Sequence, residues 1–254
     1  MSNQEQRNPA PFRTSNVCGW RLLEFGCVDS TNLVAAKLPP WHAVRADTQT
    51  AGRGRYQRSW VSDAGGLWLS AVVPLEADRA QNRMLPLVAG LSLINALERI
   101  GIKGARLRWP NDIMVEDRKL AGLLVDRFSP DRAVVGMGLN VGNQPALRDE
   151  SLRHVATRLA DLVDQPPEIL TLCGEILRSL KQSAEQLTAE GFSTLEPRVN
   201  ELWAGHRKVR LELGKDERVG MFSGVDSSGR LLLEESDSNT SVFEPHQITL
   251  LREI

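Results

Sequence analysis

The pattern of apolar residues changes along this chain, and the change strongly constrains the fold. Over roughly the first 204 residues, runs typical of strands alternate with apolar residues at the spacing of amphipathic helices. We predict strands over 43–47, 66–73 and 133–138, and helices over 85–101 and 169–187. After Gly205 only short strands follow, separated by turns rich in glycine, aspartate and serine, which is typical of a small β barrel.

A domain boundary is therefore predicted between residues 204 and 205. The part from 18 to 204 is expected to be the catalytic domain, and 205–254 a small β domain. Residues 1–17 are polar and contain prolines without an apolar core, so we predict a disordered tail and neither a secretory signal nor a membrane anchor. Ser30 or Thr31 is placed to cap a short helix over 32–38.

Residues 52–60, which we call the arginine loop, combine glycines, arginines and an indole. Glycine lets the main chain approach a ligand closely, and arginine offers planar donors that match phosphate or carboxylate oxygens. Tryptophan adds a flat face on which a nucleotide base can stack. A solvated basic loop before a buried tryptophan is the alternative, but it does not explain the alternation of glycines with arginines. We therefore predict a nucleotide site at Gly52, Arg53, Gly54, Arg55, Arg58 and Trp60.

The segment 108–126 predicts a strand hairpin. The turn sequence 110–112 interrupts one apolar run, the charged residues 116–118 turn the chain, and a second apolar run covers 120–125. Lys119 then stands at the start of a buried strand, with two small residues close by. Most lysines at strand starts are solvated, but one anchored on a rigid strand can be aimed at a reacting group.

Two common nucleotide motifs are excluded. The glycine-rich stretch 136–142 follows a strand, but its third glycine comes one position late for a dinucleotide fingerprint, and no helical pattern begins there. No glycine-rich loop ends in Gly-Lys-Ser or Gly-Lys-Thr, so ATP would not be held by a P-loop. A loop that becomes ordered over the ligand is the alternative, and the arginine loop permits it.

Composition favours an intracellular enzyme. The 31 Lys and Arg against 32 Asp and Glu leave a net charge of −1, so the charge balance calls for neither nucleic acid nor an anionic membrane as partner. The three cysteines lack metal-ligand spacing and the four histidines are scattered. We therefore predict free thiols in a reducing cytoplasm and no zinc site. No apolar run reaches the length needed to cross a bilayer.

Five motifs together resemble those of the biotin protein ligases, over roughly the whole chain from the mid-twenties onward. They are Asp-Ser-Thr-Asn at 29–32, the arginine loop, Trp-Pro-Asn-Asp at 109–112, Lys-Leu-Ala-Gly at 119–122 and Gly-Met-Gly-Leu-Asn at 136–140. Gln57 stands where many members have glycine, which bears on the flexibility of the loop. The resemblance implies an α+β fold: a mixed β-sheet with flanking helices, of the class II synthetase-like biotin ligase type, plus a C-terminal SH3-like β barrel.

The resemblance also implies a two-step reaction. Biotin's carboxylate attacks the α-phosphate of ATP, which gives biotinyl-5′-AMP and pyrophosphate. The ε-amine of one lysine of a biotin carboxyl carrier protein, a domain of a biotin-dependent carboxylase such as acetyl-CoA carboxylase, then attacks the activated acyl carbon. ATP and Mg²⁺ are the expected cofactors, because the first step brings two anions together, and no metal ligands are assigned.

Matching the motifs gives each site residue an expected role. The expected catalytic cations are Lys119, Arg53 and Arg55, with Lys119 placed at the biotin carboxylate and α-phosphate. Biotin is expected to contact Ser30, Thr31, Gln49, Gly52, Arg53, Arg55, Lys119, Gly122 and Gly138. ATP and the adenylate are expected at Arg55, Arg58, Trp60, Asn111, Asp112, Lys119 and Asn140. Helix capping and ordinary turn formation remain alternative roles for Ser30, Thr31, Asn111 and Asp112.

Alternative functions of other classes stay open at this point. A lipoate or octanoate ligase or transferase would share the fold and the acyl-transfer chemistry, although the arginine loop with Trp-Pro-Asn-Asp and Lys-Leu-Ala-Gly favours biotin. A bifunctional ligase and repressor would need a helix-turn-helix module before the catalytic core. Fewer than thirty residues precede Ser30, so we expect no DNA binding. A monomer and a homodimer are both compatible with the sequence.

Overall fold

A computed structural model describes residues 10–75, 81–145, 155–203, 205, 207–235 and 239–254. Its α-helices are α1 (Thr31–Ala35), α2 (Leu85–Arg99), α3 (Ile169–Glu190) and α4 (Glu196–Glu201). The first eight strands are β1 (Arg13–Val17), β2 (Trp20–Val28), β3 (His42–Gln49), β4 (Leu67–Pro74), β5 (Ala105–Arg108), β6 (Asp112–Val115), β7 (Arg118–Ser129) and β8 (Arg132–Leu139). The remaining strands are β9 (Arg207–Leu213), β10 (Asp216–Val225), β11 (Leu231–Glu234), β12 (Thr240–Phe243) and β13 (Leu250–Glu253).

The larger part of the molecule is built on an eight-stranded mixed sheet in the order β1-β2-β3-β4-β8-β7-β6-β5. Strands β2 and β3 pair in parallel, whereas the other neighbours are antiparallel. The central strand β4 is buried along nearly its whole length, which is why it reads in the sequence as a continuous apolar run.

The two faces of this sheet are covered unequally. One face packs against α2 and α3 in the larger hydrophobic core, which includes Leu69, Leu91 and Ile176. The other face carries α1 and a smaller cluster that includes Val34 and Val72. Because α1 has only 5 residues, it covers only part of this second face. Strands β7 and β8 extend beyond it and form the floor of the cavity described below.

A second, antiparallel sheet of five strands follows, in the order β12-β11-β10-β9-β13. The core is continuous between the two sheets: the hydrophobic cluster that holds Leu107 also holds Phe222 and Leu231. The indole of Trp109 donates to the carbonyl of Gly229 at 3.2 Å, which fixes the Asp226–Gly229 turn against the first sheet. Ala204 and His206 lie outside the described residues, so the boundary at 204 and 205 stays a prediction.

The predicted fold class is confirmed: the chain combines a mixed sheet and helices with a small C-terminal β domain. The predicted strands and the two long helices are present, and α2 ends before Gly101, whose φ is 84°. The charged triplet 116–118 falls at the predicted turn between β6 and β7, with Arg118 as the first residue of β7.

Two predictions of local structure were wrong. The expected tail over 1–17 is a strand in its last part, since β1 pairs antiparallel with β2; residues 1–9 lie outside the described part of the chain. The first helix covers Thr31–Ala35 rather than 32–38, and Ser30 occupies its N-cap position without a side-chain capping bond. Thr31 is itself helical, and its hydroxyl donates instead to Gln49.

Four strands and a short helix were not predicted: β1, β2, β5, β13 and α4. Ion pairs explain part of this result. Arg106 in β5 is buried because its guanidinium pairs with Glu253 of β13 at 2.7 Å. Glu24 in β2 is buried beside Arg45 of β3 at 3.3 Å. A buried charge paired with a residue distant in the sequence interrupts the apolar pattern that identifies a strand.

Candidate functional site

A cavity of about 320 Å³ opens on the α1 face of the large sheet. Residues from α1, β3, the arginine loop, β5 to β8 and the segment before β13 line it. Of the fourteen residues that were each expected to contact biotin or ATP, thirteen are among them: Ser30, Thr31, Gln49, Arg53, Arg55, Arg58, Trp60, Asn111, Asp112, Lys119, Gly122, Gly138 and Asn140. Gly54 of the arginine loop also lines the cavity. The structure therefore brings together residues that are separated by more than a hundred positions in the sequence.

Gly52 does not line the cavity. A Cβ atom at this position would lie 2.4 Å from the carbonyl oxygen of Trp60 and 2.5 Å from Oγ of Ser62. The glycine is thus needed where the arginine loop closes on itself, and the carbonyl of Gly52 accepts the N–H of Trp60 at 2.9 Å. Its expected contact with biotin stays a prediction.

The indole of Trp60 lies against two glycines that face each other on neighbouring strands. Gly122 of β7 and Gly138 of β8 are partners in the antiparallel register. A Cβ on Gly122 would come within 2.8 Å of the Trp60 ring, and one on Gly138 would come within 2.5 Å of its Nε1. The absence of both Cβ atoms therefore creates the flat bed that holds the indole. Among the described residues, no acceptor is available to the buried Nε1 of Trp60.

Lys119 is the second residue of β7, and its side chain extends over this indole. Its Nζ lies 5.1 Å from the centroid of the Trp60 ring, and 2.6 Å from Oδ1 of Asp112. The other carboxylate oxygen of Asp112 accepts from Arg108 at 2.8 Å. Main-chain bonds to Val155 and from Thr157, of 2.8 and 3.0 Å, hold Lys119 in place. The lysine is thus a fixed cation and not a solvated one, with a side chain that is 29% exposed.

The carboxyl group of Asp112 is held in its ionised form. Burial by itself would raise its pKa, but the Lys119 ammonium and the Arg108 guanidinium beside it lower that pKa below its ordinary value. Asp112 therefore remains an anion at neutral pH and orients the Lys119 side chain. One carboxylate shared between two cations leaves a net positive charge at this end of the cavity.

Arg55 makes more side-chain hydrogen bonds than Arg53, the other arginine of the loop whose side chain has a partner among the described residues. Its guanidinium donates to Oδ1 of Asn111 at 3.4 Å, to the hydroxyl of Tyr56 at 2.9 Å and to the carbonyl of Pro245 at 2.9 Å. Burial lowers the pKa of Arg55, because the charged form loses hydration; the nearby charge of Asp112 works in the opposite direction. A partly desolvated cation of this kind favours an anionic ligand.

The other two arginines of the loop differ in their surroundings. Arg53 donates to Oδ2 of Asp126 at 3.4 Å and is partly exposed. Arg58 is exposed at the rim, where its carbonyl accepts the N–H of Gly54 at 2.7 Å. The three arginines, together with Arg108 and Lys119, outnumber Asp112, the one acidic residue among those that line the cavity.

A polar network forms the opposite end of the cavity. The side-chain oxygen of Gln49 accepts from the N–H and hydroxyl of Thr31 at 2.8 and 3.1 Å, and its amide donates to Ser62 at 2.8 Å. The hydroxyl of Ser70 lies 2.7 Å from Oγ1 of Thr31 and 2.6 Å from Oδ1 of Asn32. Fixed hydroxyl and amide groups of this kind can pair with a small polar ring.

Asn111 and Asn140 mainly support the cavity wall. Asn111 donates to the carbonyl of Leu123 at 2.8 Å and so links the turn before β6 to β7. Asn140 donates to the carbonyl of Thr157 at 3.1 Å and accepts from Asn143 at 2.9 Å. Their side chains are thus engaged with the protein, and their expected contacts with ATP stay predictions.

Three residues of the site were not predicted from the sequence. Asn32 donates to Asp126 at 2.9 Å, and a Cβ on Gly136 would lie 2.2 Å from its Oδ1. The position of Asn32 in the first of the five motifs was a usable signal. Asp126 lies outside the motifs and gave no such signal, and Tyr56 lies in the arginine loop but its partner Ile248 is identified only by the folded chain.

The described residues contain no group of three or more potential metal-ligating side chains. No helix among them is long and apolar enough to cross a membrane. The three cysteines are free, and burial raises the pKa of the Cys173 thiol to about 12. The cations beside the Trp60 indole and the neutral polar network at the opposite end make the cavity suited to an anion lying beside a flat ring.

We expect the arginine loop to become protected when a ligand occupies the cavity. Three arginines follow one another at short spacing, and Arg53, Tyr56, Gln57 and Arg58 are exposed; such a segment opens easily when its cations lack an anionic partner. Trypsin cleavage after these arginines, followed by mass spectrometry, should slow by about tenfold with saturating biotin and ATP, as local opening is coupled to binding. Equal cleavage with and without ligands would rule out ordering of the loop.

Comparison with known proteins agrees with this site. Residues 27–141 match the Biotin/lipoate A/B protein ligase family. A biotin–[acetyl-CoA-carboxylase] ligase of Mycobacterium tuberculosis is 34% identical over 200 residues, which cover 74% of this chain and 71% of that protein. The corresponding ligase of Paracoccus denitrificans is 32% identical over 228 residues, which cover 81% and 90% of the two chains.

A solved structure extends the similarity to the second sheet. The biotin protein ligase from Aquifex aeolicus in complex with biotin and ATP superposes with a TM-score of 0.81 at 28% identity, covering 92% of this chain and 99% of that one. The resemblance drawn from the five motifs is confirmed by both comparisons. This chain belongs to the biotin protein ligase family.

Proposed function

We propose that this protein activates biotin with ATP as biotinyl-5′-AMP and transfers the biotinyl group to one lysine of a biotin carboxyl carrier domain. The observation that carries the proposal is the position of the Lys119 ammonium, which lies over the Trp60 indole and beside Asp112 at one end of the cavity. A nucleotide base and a phosphate can occupy such a site together. The named substrates of the Aquifex structure, biotin and ATP, support this assignment.

The first step requires a carboxylate to approach a phosphate. Lys119 and Arg55 would contact the oxygens of both anions, and Arg53 and Arg58 would close over them from the loop. Cations that are already oriented in a partly buried cavity stabilise the charge that builds up in the transition state, because they need little reorganisation during the reaction. The polar network of Thr31 and Gln49 would hold the ureido ring of biotin, and Trp60 would stack on the adenine.

In the second step the carrier lysine attacks the acyl carbon of the adenylate and AMP leaves. The same cations would stabilise the leaving phosphate. Asp112, whose Oδ1 lies 2.6 Å from the Lys119 Nζ, would hold the lysine in place beside the leaving phosphate. The restriction of the reaction to one lysine of the carrier would come from docking of that domain at the open side of the cavity.

Mg²⁺ fits this site only as an ion that enters bound to the phosphates of ATP. Magnesium is often bound by one or two carboxylates together with substrate phosphates, and Asp112 is the one carboxylate among the residues that line the cavity. Both oxygens of Asp112 are already paired with Lys119 and Arg108, so the ion would be held mainly by the phosphates of ATP, whose charge it would neutralise.

Biotinylation of a carrier domain tests the proposal directly. Purified carrier domain is incubated with this protein, biotin and MgATP and then analysed by intact-mass spectrometry. We expect one biotinyl group per carrier, on one lysine, and none when ATP is omitted. Carrier mass that stays unchanged across several carrier domains would contradict the assignment.

Lipoate and octanoate are the competing substrates, because the matched family model includes lipoate ligases. At a thousandfold excess over its dissociation constant, a ligand stabilises the folded protein by about 4 kcal/mol. Biotin should therefore raise the unfolding temperature by several degrees, whereas lipoate and octanoate at the same concentration should not. A larger shift with lipoate would favour the alternative.

A further inference from the structure

Tyr56 connects the arginine loop to the second sheet. Its hydroxyl donates to the carbonyl of Ile248 at 2.7 Å and accepts from Nη2 of Arg55 at 2.9 Å. The same guanidinium donates to the carbonyl of Pro245 at 2.9 Å. Pro245 and Ile248 lie in the segment that joins β12 to β13. The loop that carries the cations is thus attached to a part of the chain outside the large sheet.

The acceptors around Arg55 are all neutral. They are the amide oxygen of Asn111, the phenol oxygen of Tyr56 and the carbonyl of Pro245. Neutral acceptors fix the direction of a guanidinium and leave its charge uncompensated. A carboxylate fixes the direction and also neutralises the charge. Arg53 shows the contrast, since it donates to the carboxylate of Asp126. Arg55 is therefore oriented and still available to an anion.

The backbone of the loop needs this attachment. Tyr56 and Gln57 have φ angles of 54° and 59°, so two successive residues with side chains adopt the left-handed conformation. That conformation is unfavourable for any residue except glycine and persists when surrounding contacts hold it. Gln57 stands where the resembled family often has glycine, and the bond from Tyr56 to Ile248 lies directly beside it.

We propose that Tyr56 is a positioning residue for adenylate formation and acts through Arg55. The phenol fastens the loop to Ile248 and presents its oxygen to the guanidinium, which keeps Arg55 pointed at the reacting anions. The second sheet thereby contributes to the active site, although it supplies no charged group there itself. The inference rests on the proposed function and extends it to a residue of the arginine loop that was given no role from the sequence.

Removal of one oxygen atom tests this role. Tyr56→Phe should lower kcat/KM for biotin-dependent pyrophosphate release by about tenfold, the scale of one hydrogen bond to a charged group. In an Arg55→Gln background the same substitution should change the rate by less than about twofold, because the two residues act as one unit. Tyr56 is 48% exposed, so the unfolding temperature should stay within about 2 °C of the wild type.

Arg83→Gln is the matched control. It breaks an exposed ion pair of 3.4 Å with Glu244, the residue before Pro245, without touching the arginine loop. Its rate should stay within about twofold of the wild type, since surface ion pairs contribute little. A loss equal to that of Tyr56→Phe would mean that any loosening of this segment slows the reaction, which would overturn the specific role of Tyr56.

A second measurement is independent of catalysis. Trypsin cleavage after Arg55 and Arg58 should be at least about fivefold faster in Tyr56→Phe than in the wild type, because the opened loop is more populated. Cleavage at the wild-type rate would overturn the attachment. If Tyr56→Phe lowered the rate equally in the wild type and in the Arg55→Gln background, the proposal that Tyr56 acts through Arg55 would be overturned. An inactive wild type with faster cleavage of the variant would overturn the proposed function but leave the attachment standing.

Discussion

Replacement of Lys119 by alanine should slow formation of biotinyl-5′-AMP by about 100-fold or more, which corresponds to about 2.7 kcal/mol of lost transition-state stabilisation. The reason is that the Lys119 ammonium is held on β7 beside Asp112 and lines the cavity, where the proposed function brings the carboxylate and the α-phosphate together. The measurement is biotin-dependent release of pyrophosphate at matched concentrations of folded protein.

The fold should survive this change. Asp112 keeps its bond of 2.8 Å to Arg108 when the lysine is absent, so no carboxylate is left buried without a cationic partner. Lys208→Ala is the matched control, because Lys208 is an exposed lysine on β9. It should alter the rate by less than about twofold. A loss of less than about threefold for Lys119→Ala would end the case for this lysine as the catalytic cation.

Gly138→Ala should raise the KM for ATP by about tenfold or more. Such a change lies within the range of about 1–3 kcal/mol expected for loss of one base–aromatic stack. The added methyl group would lie 2.5 Å from Nε1 of Trp60 and displace the indole from its position against Gly122 and Gly138. A larger effect on biotin than on ATP would instead place Gly138 at the biotin end, as the sequence motif implies.

A double-mutant cycle identifies the cause. In a Trp60→Ala background the alanine at position 138 meets no indole, so the second substitution should cost little beyond the first. Gly26→Ala is the control: Gly26 lies in β2, and a Cβ atom there would meet no atom within 4 Å. Its kinetics should match the wild type. Independent, additive losses from Trp60→Ala and Gly138→Ala would show that the methyl group does not act through the indole.

The sequence predicted most of the elements whose apolar pattern is regular. The long helices α2 and α3 and the strands β3, β4, β7 and β8 have continuous or periodic apolar faces. Strand β5 was missed because Arg106, one of its buried residues, is charged and depends on Glu253 of β13. Strand β1 was missed because its exposure at the sheet edge leaves no apolar signal.

The candidate site shows the same division. The resemblance of the motifs to those of the biotin protein ligases was sufficient to choose thirteen of the residues that line the cavity. The motifs do not show which contacts each of these residues makes in the folded protein. Gly122 and Gly138 were expected to meet a ligand, and the structure gives them the additional task of holding Trp60. Gly52, chosen for its N–H group, lies at the closure of the loop.

The sequence by itself identified the family, because short motifs are local properties of the chain, and that resemblance implied the chemistry and the mixed-sheet class. Regular apolar periods, which are also local, predicted the long helices and several strands. The tertiary structure alone decided which charges remain available. Arg53 pairs with Asp126, Lys119 shares Asp112 with Arg108, and Arg55 is held by neutral oxygens. Asp126 and Pro245 are distant in the sequence from the arginines they contact, and Lys119 reaches Asp112 only because β7 pairs with β6. A cation's ability to bind an anion depends on the neighbours that folding places beside it.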